Sequence, residues 1–233
     1  MRGILFDKDG TLLDFEATWT PVLRRLALEA AAGDADRAER LLELGGLVRA
    51  TGKFRAGSAI GAGTTATIVE VWHPELSGGA LAEAIVAMDR AFLEHGRAHS
   101  VPLPGAVDTV ATLAGRGLTL GVATNDATAA AKAAIAAVSL SAHLPHIYGY
   151  DSVTRSKPAP DMVLAFARDT SLAASDIAVV GDNPHDMEMA RAAGAVAIGV
   201  TSGNSSAADL APLADVVLPS VAALPEWLDA NAG

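Results

Sequence analysis

The sequence predicts an α/β protein: a doubly wound, Rossmann-like parallel sheet core carrying an inserted all-helical domain. Three observations point there. Short β-branched apolar runs recur with helix-forming stretches between them, the alternation that a parallel sheet writes into sequence. About ninety residues after the first run show helical periodicity and little strand signal. Polar residues crowd directly behind four of the predicted strand regions, where an open parallel sheet binds its ligands.

Taken in order, the predicted strands are Gly3 to Phe6, Leu118 to Thr124, His146 to Tyr150, Ile177 to Gly181, Ala195 to Gly199 and Val216 to Leu218. The helices between the later strands have credible starts and stops. Pro104-Gly105 opens one that ends at Arg116-Gly117, and Asp126 to Val138 is almost pure helix former. Pro158 to Asp169 and Pro184 to Gly194 each begin with proline, and the second ends in glycine. Within the long interval, helical periodicity covers roughly residues 17 to 32, 35 to 50 and 79 to 97, with a strand signal only at Thr67 to Val71. Gly57 to Thr65 reads as a loop. The expected organisation is therefore a core of residues 1–14 and 101–233 and a helical insertion of residues 15–100, joined near Asp14 and Val101 to Pro104.

Composition narrows the class. The 233 residues hold 17 Lys+Arg against 27 Asp+Glu, a net charge of -10, and so acidic a chain lacks the basic face that nucleic acid or an anionic membrane requires. Hydrophobic residues make up 51% of the chain, but 50 residues are alanine, which leaves an ordinary soluble composition. No apolar run approaches a bilayer span, and the N-terminus meets Asp7 too early for a signal peptide. Zero cysteines exclude disulfides and thiolate chemistry and fit a cytoplasmic setting. Residues 15–100 carry 9 basic and 11 acidic side chains, so the core holds the remaining 8 and 16, a net of -8.

The residues behind the strands suggest chemistry. Asp7-Lys8-Asp9-Gly10-Thr11 follows the first, Thr124-Asn125-Asp126 the second, Ser156-Lys157-Pro158 the third region and Gly181-Asp182-Asn183-Pro184-His185-Asp186 the fourth. Oxygen donors from Asp7, Asp182 and a backbone carbonyl suit a hard cation such as Mg²⁺. That cation and Lys157 would neutralise a phosphoryl group, Thr124 and backbone N–H groups would bond its oxygens, and one carboxylate could attack phosphorus in line.

These four segments, Asp7-x-Asp9-Gly10-Thr11, Thr124-Asn125, Lys157-Pro158 and Gly181-Asp182-x-x-x-Asp186, resemble in order and spacing the motifs of the haloacid dehalogenase-like (HAD) hydrolase superfamily. The insertion matches that superfamily's cap domain in position and size. Phe6-Asp7-x-Asp9-Gly10-Thr11-Leu12 and Lys157-Pro158-x-Pro160 are closest to the phosphoglycolate phosphatase-like branch. The resemblance implies a Mg²⁺-dependent, cytoplasmic phosphatase that hydrolyses a small phosphate monoester, phosphoglycolate-like or a sugar phosphate, through an aspartyl-phosphate. It makes Asp7 the nucleophile and a metal ligand. Asp9 becomes the acid that protonates the leaving oxygen and then activates water, its backbone carbonyl also reaching the metal. Thr124 and Asn125 would bind the phosphoryl group, and Lys157 would hold nucleophile and phosphate. Asp182 would bind Mg²⁺, and Asp186 would order the metal's water shell or Lys157. Two departures stand out: Asn183-Pro184-His185 after Asp182, and the extra charge of Asp126.

In the insertion, Lys53 and Arg55 form a basic pair in a Gly-flanked loop that could reach an anionic leaving group, against the plainer reading of a surface loop. Trp19 reads as core packing rather than pocket lining, and His185 as a solvated loop residue. The alternatives are a phosphomutase with the same site, a receiver-like phosphorylation switch without catalysis, and an enzyme-derived binding protein. The expected partner is a small phosphorylated metabolite.

Overall fold

The computed structural model describes residues 1–231. In chain order its elements are β1 (Gly3–Phe6), α1 (Phe15–Ala30), α2 (Ala35–Gly45), β2 (Leu47–Val48), β3 (Lys53–Phe54), α3 (Ala59–Ala62), α4 (Thr65–Trp72) and α5 (Gly78–His99). There follow α6 (Ala106–Gly115), β4 (Thr119–Ala123), α7 (Thr128–Ala137), β5 (His146–Tyr148), α8 (Asp161–Thr170), β6 (Ile177–Gly181) and α9 (Pro184–Ala193). The chain closes with β7 (Val196–Val200), α10 (Ala207–Leu210), β8 (Val216–Leu218) and α11 (Leu224–Ala230).

Six strands form one parallel sheet in the order β5-β4-β1-β6-β7-β8. Two-residue periodicity explains why these runs are apolar throughout: Ile4 and Phe6 of β1 enter one core cluster while Leu5 enters the other. Val180 and Val179 of β6 divide in the same way. Helices α6, α7 and α11 supply Val110, Ile135 and Leu224 to the first face, and α8, α9 and α10 supply Phe166, Met187 and Leu210 to the second. The sheet is therefore doubly wound. Strand order reverses between β1 and β6, and the crevice at their carboxyl ends is where such a sheet binds ligands.

The segment between β1 and α6 has its own apolar cluster, built on Phe15, Trp19, Leu42, Phe54, Val69, Trp72 and Phe92. The two connections to the sheet run side by side, with Asp14 N–H donating to the Val101 carbonyl at 2.9 Å and Leu103 N–H to Leu12 at 2.9 Å. Asp14 also caps α1 through Ala17 N–H.

Three local expectations change. The insertion is helical except for an antiparallel pair of two-residue strands, Leu47 opposite Phe54 and Val48 opposite Lys53. That pair takes up the end of the helix expected to reach residue 50, because Gly46, with φ at +122°, stops α2. Thr67 to Val71 is helix rather than strand. Thr64 caps α4 through Thr67 N–H, and Ile68, Val69 and Trp72 fall on one buried face, so packing overrides the β-branched propensity. The 57–65 loop contains the helical turn of α3, capped by Ser58. Smaller differences are boundaries: α8 begins at Asp161, three residues past Pro158, whose peptide bond with Lys157 is cis. Among the described residues no helix is long and apolar enough to cross a membrane.

Candidate active site

Asp7 continues β1, its N–H donating to the Val180 carbonyl at 2.7 Å, so its carboxylate emerges at the switch point. The chain then folds back sharply, Leu12 and Leu13 N–H both donating to the Lys8 carbonyl. Gly10 makes this turn possible. Its φ is +80°, and a Cβ there would lie 2.6 Å from Oδ2 of Asp182. Asp182, at the end of β6, accepts a hydrogen bond from Asn204 N–H at 2.8 Å. Asp186, in the first turn of α9, accepts from Asn183 N–H at 3.1 Å in a capping box.

Lys157 joins these groups. Its buried ammonium donates to Asp7 Oδ1 at 2.5 Å and to Asp186 Oδ1 at 2.7 Å. Carboxylate oxygens of Asp7, Asp182 and Asp186 lie within 4.8 Å of one another, all three buried. Thr124, at the end of β4, accepts from Asp126 N–H at 3.2 Å, which leaves its own proton free to donate.

Asp9 belongs to a second group. Lys8, fully buried, pairs with Asp9 and, at 2.9 Å, with Asp126, while its ammonium lies 4.6 Å from the centre of the Trp19 ring. Trp19 donates its indole N–H to Asp9 Oδ1 at 2.5 Å. Asp126, the departure noted in the sequence, is thus the counter-ion of Lys8.

The electrostatics follow from burial. Desolvation pushes Asp7 up to about 6, with Lys157 pulling the other way and Asp186 adding to the rise. Asp9 is likewise pushed up to about 6 by burial, partly opposed by Lys8. Asp182 is held well above the usual carboxylate range by burial and by its neighbours Asp7 and Asp186. Burial disfavours the charge on Lys157, yet Asp186 and Asp7 together keep its pKa raised. Three carboxylates face one ammonium, so ionising all of them needs further positive charge, and the donors are oxygen only. That set fits a hard divalent cation such as Mg²⁺, held by Asp7 and Asp182, with Asp186 already committed to Lys157 and Asn183.

The cavity above this floor has a free volume of about 70 Å³, room for a few waters. Asp7, Asp9, Thr124, Asn125, Lys157, Asp182 and Asp186 all border it, as expected. The carboxylate of Asp9 lies outside the triad, so any role for Asp9 with a cation is left to its backbone carbonyl. Asn125 differs in detail. Its amide nitrogen donates to the Ala62 and Lys157 carbonyls and its oxygen accepts from Lys157 N–H, so both donors are spent holding the site together. Lys53 and Arg55 are not brought to the cavity. They are exposed on either side of buried Phe54, and strand alternation turns them outward.

Trp19 packs in the insertion's apolar core, the plainer sequence reading, and also borders the cavity; His185 borders it from the first turn of α9 rather than from a solvated loop. Sequence reasoning missed Lys8, Asn183 and the Gly61–Gly63 segment. Asn183 donates to the Gly61 carbonyl at 3.4 Å, and nothing local in the sequence marks partners so far apart. For Lys8 the signal was there: a lysine flanked by two acids at a strand end.

Fold and site together define an α/β protein with a buried, acidic centre at the switch point of its sheet, a set of oxygen donors that could hold a cation. The chain belongs to the haloacid dehalogenase-like hydrolases, whose family model matches residues 1–194. It is similar to a probable phosphatase IndB of Dickeya dadantii, 41% identical over 107 residues, a stretch spanning 46% of each chain. It is 28% identical over 222 residues to the phosphoglycolate phosphatase of Escherichia coli K12, covering 87% of this chain and 82% of that one. Its fold is shared with a predicted phosphoglycolate phosphatase from Haemophilus somnus 129pt, with a TM-score of 0.73 at 19% identity over 97% of both chains.

Proposed function

We propose that this HAD-like hydrolase, a phosphoric monoester hydrolase, is a Mg²⁺-dependent phosphatase that cleaves a small phosphate monoester through an aspartyl-phosphate on Asp7. The observation that carries it is Asp7 itself: a buried carboxylate fixed by Lys157 at 2.5 Å within a triad of acids whose oxygens suit a divalent cation. When bound, Mg²⁺ would neutralise the carboxylates and the phosphoryl charge.

The chain's own residues do the rest. The free oxygen of Asp7 attacks phosphorus as the bond to the ester oxygen breaks, and the Thr124 hydroxyl and Lys157 ammonium receive the phosphoryl charge. Asp9 gives its proton to the departing oxygen, releasing the alcohol. It then takes a proton from the water that attacks the aspartyl-phosphate, giving inorganic phosphate and restoring Asp7. A carboxyl pushed up to about 6 can hold and return a proton near neutral pH. The insertion, residues 15–100, acts as the cap that excludes bulk water during transfer.

Phosphate release from an aryl phosphate with Mg²⁺ tests this. Asp7→Asn is expected to lose activity by on the order of 10⁴-fold, and acid quenching of the wild type should trap a phosphoenzyme. Activity surviving Asp7→Asn overturns the mechanism. A phosphomutase would instead isomerise a hexose phosphate without releasing phosphate.

A further inference from the structure

The roof of the cavity is as informative as its floor. Phe15, Trp19, Leu23, Ile60, Ile68 and Phe92 cover the catalytic groups, all buried and, the Trp19 indole N–H aside, apolar in their side chains. No lysine or arginine of the insertion borders the cavity among the described residues. The cations nearby are both committed: Lys157 to Asp7 and Asp186, and Lys8 to Asp9 and Asp126.

Most polar groups of the roof are also engaged; the exceptions at the cavity include the first-turn N–H of Thr65 on α4 and, from the sheet side, the buried Nδ1 of His185. Gly61 N–H donates to the Ser58 hydroxyl, Ala62 N–H to the Ser58 carbonyl and Gly63 N–H to the Ala59 carbonyl. The Gly61 and Ala62 carbonyls accept from Asn183 and Asn125. The Thr65 hydroxyl donates to Asp89 at 2.6 Å, and the Trp19 indole N–H to Asp9. A second anionic group on the substrate would enter this space stripped of water and with no uncommitted lysine or arginine to pair with, an arrangement that disfavours the charged form.

We infer that the site selects phosphate monoesters whose leaving group is small, uncharged and largely apolar beside the ester oxygen, and rejects those carrying a carboxylate there. The inference rests on the phosphatase reading and sharpens it. The substrate named for the phosphoglycolate phosphatase relatives does not transfer to this roof. Phosphate provides the charge for capture at the floor, and the apolar roof provides the discrimination.

Phosphoglycolate and isobutyl phosphate make a matched pair, because the carboxylate of one and the isopropyl group of the other are similar in shape. Measured on the full chain with Mg²⁺, kcat/KM should favour isobutyl phosphate by at least about 100-fold, the scale on which a buried polar mismatch is rejected. Equal rates, or a preference for phosphoglycolate, overturn the inference and would seat the carboxylate at the amino end of α4. If the protein releases phosphate from no ester, it is the phosphatase reading that fails. The ratio of the two dissociation constants on the Mg²⁺-loaded protein then decides the selectivity by the same criterion.

Discussion

Trp19, on the first helix of the insertion, donates its indole N–H to the carboxylate of Asp9 at 2.5 Å, so one side chain ties the insertion to the proposed acid. The same ring packs edge-on against Phe92, with centroids 5.5 Å apart. Trp19→Phe keeps an aromatic body and removes only the donor. We expect kcat to fall by about 10-fold, a fraction of what general acid catalysis contributes, with KM little changed. Steady-state kinetics on an aryl phosphate measures this, and a change confined to KM would mean that the ring serves binding instead.

Lys8 holds two acids together from a fully buried position, with Asp9 and Asp126 each less than a fifth exposed. Lys8→Met should strand both carboxylates and destabilise the protein by about 3 kcal/mol, the scale for breaking a buried pair. Adding Asp126→Asn to that variant should recover part of the loss, since one stranded charge is then gone. Urea unfolding in EDTA reads both, and an unchanged midpoint for Lys8→Met would show the network to be energetically idle.

Burial raises Asp7 from 3.8 to about 6, so between those values the folded state binds more protons than the unfolded state. Stability from this group is therefore lost as pH rises through the window, and the penalty is complete above about 6. In EDTA at pH 7.5, Asp7→Asn should be more stable than wild type, and the gap should close as pH falls toward 3.8. Mg²⁺ should raise the wild-type Tm more at pH 7.5 than at pH 5, where protons compete for the same oxygens. Thermal melts at the two pH values check both statements, and a Mg²⁺ shift independent of pH would contradict them.

What the sequence made legible divides along a physical line. Strands buried on both faces leave continuous apolar runs such as Gly3 to Phe6, and topology then obliges the residues behind them to converge. Asp7, Thr124, Lys157 and Asp182 could be found for that reason. Contacts between distant segments leave no such trace. Lys8 meets Asp126 across 118 positions, 126 less 8, and the clamp from Asn125 to the Ala62 carbonyl joins sheet to insertion. For the basic pair Lys53 and Arg55 the sequence leaves leaving-group contact and a plain surface loop both open, because a two-residue strand is too short to show its period. Only the burial of Phe54, packed against Phe15 with ring centroids 5.8 Å apart, turns the pair outward.

Asp89 of α5 accepts two short hydrogen bonds, from the Thr65 hydroxyl at 2.6 Å and from the phenol of Tyr150 at 2.6 Å. The first stays within the insertion, while the second crosses to the loop after β5 and straps the insertion to the sheet. Burial, and then the bond to Asp89, hold the Tyr150 phenol far above its ordinary pKa, so it remains a donor throughout the physiological range. Tyr150→Phe leaves Asp89 its partner Thr65 and deletes only the strap. A hydrogen bond to a charged group contributes about 1.5 to 3 kcal/mol, and the half-buried setting places the expected loss near the lower end of that range. Urea unfolding should show it, and Thr65→Val in the same background should cost more than it does alone, because Asp89 then loses its last donor. Strictly additive losses would mean that water replaces each donor as it is removed, and that the strap does not hold the insertion in place.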